Sequence, residues 1–188
     1  HSKGGLDCRW AMRDPDIAAR VASLTTVNTP HRGCEYADYL LNKIDPQVQM
    51  KVANAYNKAA KLAGDTSPDF IAAMQDLTAT ACNRRDPEMP QPEGVYCQSV
   101  GSVLHKSARG QFPLKYTYRL VKEFDGPNDG LVGQDSFSWG QEHQLLVPKG
   151  RYGISHGDII DMNRENLPGF DVREFYVQMV AKLKEKGF

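Results

Sequence analysis

Three residues, widely spaced along the chain, have the types needed for acyl-transfer chemistry. Ser2 lies in the run His1-Ser2-Lys3-Gly4-Gly5, immediately ahead of a helical stretch containing Leu6 and Met12. A serine at a sharp strand-to-helix turn presents its hydroxyl as a nucleophile, and small residues two positions to either side let the backbone pass closely. Gly4 fits the downstream position, while the upstream one precedes residue 1, so half of that motif is legible. A helix N-terminus favours developing negative charge, which makes the Lys3 backbone N–H a candidate oxyanion donor. Asp129 sits in FDGPNDGLVGQDSFSW, a Gly- and Asp-rich turn ahead of Leu131 and Val132, where a carboxylate can orient an imidazole. His156, in RYGISHGDIIDM, is a candidate general base that takes the serine proton and returns it to the leaving alcohol. Asp125 and Asp135 compete for the acid role, and His1, His31, His105 and His143 for the base. Each candidate also has an ordinary reading: a polar terminal serine, an Asx turn, a structural histidine.

The elements that would carry these residues alternate in type. Gly5 to Met12 reads as a helix ended by Asp14-Pro15, and Arg20 to Val27 as a β-branched strand ending at Asn28-Thr29-Pro30. The continuous apolar character of that strand suits a central parallel position buried on both faces. From Tyr36 to about Met74 the pattern is helical, with a break at Asp45-Pro46 and a further start in which Ser67 caps and Pro68 takes the first turn. RRDPEMPQPEG, with three prolines, is a loop. Gly94 to Val100 and Phe112 to Val121 resemble strands, a bent helix or ordered coil being the alternative for either. The tail forms a helix with Val172, Phe175, Tyr176, Met179 and Leu183 on one face.

Composition restricts the partners. The 188 residues suit a single domain, and Lys plus Arg balance Asp plus Glu at 23 each, so no basic field gathers nucleic acid. Apolar stretches stop well short of a membrane span. Four cysteines, Cys8, Cys34, Cys82 and Cys97, lack CxxC spacing; Cys82 and Cys97 flank the proline-rich turn, leaving a bridge and two buried thiols as open alternatives.

The chain order Ser2, Asp129, His156 is the order of an α/β-hydrolase triad. HSKGGLDCRWAM, VASLTTVNTPHRG, NDGLVG and SHGD together resemble, in order, four segments of the bacterial triacylglycerol lipase family. The resemblance implies an α/β-hydrolase fold with a mostly parallel sheet flanked by helices. Residues 1–188 would be the C-terminal portion of one catalytic domain, beginning at the nucleophile elbow. It implies Ser2 as nucleophile, His156 as base and acid, Asp129 as orienting carboxylate, and an acylglycerol or other apolar ester as substrate. It further implies a helical lid at about 36–74 with transient contact to lipid interfaces, and secretion. No cofactor is implied for the chemistry. Asp158 matches one ligand of the family's structural calcium, whereas Met162 replaces a polar ligand. An N-terminal companion segment, in the same chain or a separate one, is expected to feed Ser2 and supply the second oxyanion donor. Alternatives left open are a carboxylesterase or acyltransferase of soluble esters, and a non-catalytic binding or structural fragment.

Overall fold

In the computed structural model, residues 1–62, 64–106, 114–148, 151–162, 164 and 167–188 are described. Three parallel strands, β1 (Ser23–Val27), β2 (Tyr96–Ser102) and β3 (Glu142–Leu146), form a sheet in that order. Parallel neighbours need long crossovers, which here carry the helices. Before β1 come α1 (Lys3–Ala11) and the short α2 (Pro15–Ala18); between β1 and β2 lie α3 (Glu35–Lys43), α4 (Pro46–Leu62), α5 (Phe70–Asp76) and α6 (Ala79–Arg85). Helix α7 (Leu114–Asp125) joins β2 to β3, and α8 (Val172–Glu185) closes the chain.

Successive side chains of a strand point to opposite faces, and the packing follows that period. On one face Leu24 and Cys97 pack with Met12, Ala18 and Trp139, while Leu145 joins Phe137, Tyr36 and Val121. On the other face Val27 and Leu146 pack with Ile154, Ile159 and Phe175 of α8. The sheet is thus covered by helices on both sides. All five residues expected on the inner face of α8 are buried or half-buried, and Asp171 caps that helix by accepting from the N–H groups of Arg173 and Glu174.

Several expectations change. Ser23, Leu24 and Thr25 are half-buried and Thr26 and Val27 buried, and among the described residues β1 pairs with β2. The segment read as a strand from 112 to 121 is helical over Leu114–Asp125, and Phe112 lies outside the described residues. Its apolar alternation suggested period two, but tertiary packing against α3 selects Tyr118, Val121 and Phe124, three apart on one helix face. Asp69, not Ser67, caps α5 through the Ala72 N–H, and Thr78 starts a separate α6 by accepting from Ala81 N–H. All four cysteines are free thiols, which removes the Cys82–Cys97 bridge. Strand β3 was not anticipated, its Glu-His-Gln opening lacking any apolar run.

A buried polar cluster fixes α1 over the end of β1. Arg9 of α1 reaches His31 Nδ1 at 3.2 Å, Asp86 Oδ1 at 2.7 Å and the Met89 carbonyl at 3.0 Å, and lies over the Trp139 ring. His31 stacks on Trp139, and its Nε2 lies 2.9 Å from Thr26 Oγ1. Burial, reinforced by the Arg9 charge, pushes the His31 pKa down from 6.5 to about 2, so the ring is neutral. The helix also approaches the following turn closely: a Cβ at Gly5 would stand 2.2 Å from Thr29 Oγ1. At Gly4, the residue that matched the expected small position, a Cβ would meet nothing within 4 Å among the described residues, whereas at Gly5 the contact is close.

Two outcomes are expected. Gly5→Ala lowers stability by about 1–3 kcal/mol through overpacking, while Gly4→Ala is near neutral, as read by denaturant unfolding. For His31, the unfolded chain takes up a proton below pH 6.5 and the folded chain does not until about 2, so its contribution is fully present above 6.5 and is lost as pH falls through that window. Stability of the native protein therefore declines more steeply on acidification than that of His31→Gln, measured as unfolding midpoints across that range.

Candidate active site

The turn at Ser2 is held under backbone strain. Ser2 has φ 53° and ψ −135°, a conformation unusual for a residue with a side chain, and its N–H donates to the Val27 carbonyl at 3.0 Å. Gly4 N–H donates to His1 O and Gly5 N–H to Ser2 O, starting α1 at once. The Lys3 N–H stands at the first position of the helix, where no intrahelical acceptor exists. The Lys3 side chain points elsewhere, its ammonium 2.6 Å from Asp7 and 3.5 Å from Asp76.

Asp129 and His156 meet at the C-terminal end of the sheet. His156 Nδ1 lies 2.6 Å from Asp129 Oδ2, and the His156 N–H donates to the Asp129 carbonyl at 2.9 Å, so backbone and side chain both join the two loops. The carboxylate is fully buried and the imidazole nearly so, at 0% and 7% side-chain exposure. Oδ1 accepts from the N–H groups of Leu131 and Val132 at 2.9 and 2.8 Å, as an Asx turn does, and Oδ2 accepts also from Asn28 Nδ2 at 2.7 Å. The Asx turn and the orienting carboxylate are one structure: the turn presents the acid.

His1 links this pair to the elbow. Its Nε2 lies 3.0 Å from the His156 carbonyl, and the two rings pack with centroids 4.5 Å apart, which brings His156 against the segment that carries Ser2. The Ser2 hydroxyl makes no hydrogen bond to His156; free enzymes often close such contacts only with substrate present.

The rivals have other uses. Asp125 accepts from the N–H groups of Glu35 and Tyr36 and so caps α3, and burial raises its pKa despite those bonds. Asp135 is exposed. His31 belongs to the Arg9 cluster, His143 Nδ1 lies 2.9 Å from Ser99 Oγ on the strand, and His105 is exposed. Asp158 Oδ2 accepts from Ser155 N–H at 3.0 Å, bracing the turn after His156, and Met162 is exposed. Among the described residues no group of three or more His, Cys, Asp or Glu side chains is arranged to hold a metal. Two contributors do not stand out in the sequence: Asn28, legible there only as a turn residue, and Ser102, whose hydroxyl joins Asn28 to the Ile154 carbonyl. A polar residue directly after the β-branched SLTTV strand is the signal that could have found Asn28; Ser102 has none.

No family model matches the chain. In sequence it is similar to triacylglycerol lipase 2 of Saccharomyces cerevisiae, with 28% identity over all of this chain and 56% of the yeast protein. It is also similar to the triacylglycerol lipases of Pseudarthrobacter phenanthrenivorans and Burkholderia plantarii, each 37% identical over 42% of this chain, or 26% and 23% of those proteins. The chain thus spans about half the length of the yeast relative. In structure it is similar to Staphylococcus hyicus lipase, with a TM-score of 0.68 at 18% identity, covering 97% of this chain and 68% of that one. A metagenomic carboxyl esterase gives a TM-score of 0.62 at 21% identity, covering 85% of this chain and 44% of that one. Bacillus licheniformis lipase gives 0.57 at 22% identity, covering 86% and 58%. The chain therefore has the α/β-hydrolase fold of these lipases and esterases, and is similar in sequence to proteins named triacylglycerol lipase.

Proposed function

We propose that the protein is a serine carboxylic ester hydrolase that cleaves acylglycerols or similar apolar esters through an acyl-serine intermediate. The observation that carries this reading is the Asp129–His156 hydrogen bond, joined through His1 to a serine held in a strained turn at the start of α1. The names of the relatives support the same class of substrate.

In the first step Ser2 Oγ attacks the ester carbonyl carbon while His156 Nε2 takes its proton. Asp129 holds Nδ1–H, which fixes the ring and stabilises the imidazolium. Negative charge collects on the carbonyl oxygen, where the Lys3 N–H is one donor; a donor of this kind contributes about 2.7–4 kcal/mol. Collapse expels the alcohol, protonated by His156, and leaves the acyl group on Ser2. Water, deprotonated by His156, then attacks the acyl carbonyl and frees the acid and Ser2. No cofactor enters either step. Asp158 is the single matched ligand of a structural calcium, its oxygen already engaged with Ser155, and no step passes through a metal.

The cap over the site is narrower than residues 36–74 in this reading. Tyr36 and Ala37 of α3 lie in the core, whereas α4 exposes Val48, Val52 and Tyr56 along one face, at four-residue spacing. Such a face suits contact with a lipid interface, and α4 packs chiefly on α5.

A fluorophosphonate is expected to label Ser2 stoichiometrically, with labelling and turnover lost in Ser2→Ala; a folded, correctly assembled protein that neither labels nor hydrolyses esters contradicts the proposal. Asp129→Asn keeps the fold and lowers kcat by about 10⁴-fold, read with a soluble p-nitrophenyl ester. Val52→Asp reduces turnover of emulsified long-chain glycerides while leaving soluble-ester turnover unchanged; equal loss on both would reject an interfacial role for α4.

A further inference from the structure

We infer that Asn28 is a positioning residue for the reaction: its side-chain amide fixes the carboxylate that orients His156. The inference rests on the reading of Ser2, Asp129 and His156 as the catalytic set.

Asn28 follows Val27, whose carbonyl anchors the Ser2 N–H, so it stands one residue from the elbow's own support. It is wholly buried, and its N–H donates to the Val100 carbonyl at 2.8 Å. One amide N–H reaches Asp129 Oδ2 at 2.7 Å, the same oxygen that faces His156 Nδ1, and the other reaches Ser102 Oγ at 2.7 Å. Ser102 in turn donates to the carbonyl of Ile154, two residues before His156. A single side chain therefore ties the end of β1, the end of β2, the acid loop and the histidine loop together where Asp129 and His156 meet.

A turn requirement alone does not account for an asparagine here. Its φ of 45° is one that glycine adopts freely and without bringing a polar side chain into the interior. Asn28 instead buries an amide whose Oδ1 has no hydrogen-bond partner, a costly arrangement. The offset is its pair of N–H bonds, one of them to an ionised carboxylate, the stronger kind. Without that donor the carboxylate remains held through Oδ1 by the Leu131 and Val132 N–H groups, but the oxygen facing the imidazole loses its second restraint. Holding that oxygen fixed matters to rate and not to substrate binding.

The test uses the full protein and three readouts: kcat and KM for p-nitrophenyl butyrate, the rate and site of fluorophosphonate labelling, and the downfield proton resonance of His156 Nδ1–H. Asn28→Gly suits the backbone and removes both donors. It is expected to fold, to lower kcat and the labelling rate by about tenfold with KM unchanged, and to shift the resonance. Asn28→Asp tolerates the same φ but sets an acceptor against Oδ2, and its folded fraction is expected to be slower than Asn28→Gly. A residue serving only the turn gives a different order, with the glycine and the aspartate variants both as fast as the native protein, since each adopts that φ. That order, or folded Asn28→Gly with unchanged kcat and an unshifted resonance, overturns the inference while leaving the triad reading intact. Failure of the native protein to label at Ser2 overturns both.

Discussion

A carboxylate with no exposure to water must find its hydrogen-bond donors inside the protein, and Asp129 finds four: two backbone N–H groups of its own turn, the Asn28 amide and His156 Nδ1. Leaving such a charge short of donors costs several kcal/mol, so the loops that supply them are held in place by the need to satisfy it. The acid loop, the β1 turn and the histidine loop converge for this reason. The pairing of Asp129 with His156 is a by-product of satisfying one buried group.

The Ser2 side of the candidate site is organised by a different force. Ser2 occupies an unfavourable backbone conformation, sustained by contacts of the helix behind it: Gly5 against Thr29, and Arg9 locked into His31, Asp86 and Met89. Arg9 and His31 are buried, yet neither faces the reacting atoms. They hold α1 against the turn after β1, which keeps the helix N-terminus and its Lys3 N–H beside the serine. Strain at the elbow is thus balanced by packing and hydrogen bonds one to two helical turns away.

Much of this was legible in the residues. Helix α1, the strand ending at Val27 and the inner face of α8 follow from local patterns that tertiary structure preserves, whereas Asp129 and His156 stand out through chain order and family resemblance and not through their local sequence. The alternation in LKYTYRLV was misleading because that segment is decided by packing on α3, and β3 was invisible because its exposed opening residues carry no apolar signature. Asn28 was hidden for a deeper reason. An asparagine before Thr-Pro reads as a turn, and only contact with residues 74 and 101 positions away reveals what its amide does. The site residues that act directly have types that announce chemistry; those that position them do not.

A structure of the protein carrying a phosphonate adduct tests the central arrangement most directly. The account predicts phosphorus bonded to Ser2 Oγ, its oxygen on the Lys3 N–H, and His156 Nε2 within hydrogen-bond distance of the Ser2 oxygen, with the Asp129 contact retained. An adduct on another residue, or an imidazole that stays out of reach of the modified serine, would contradict it.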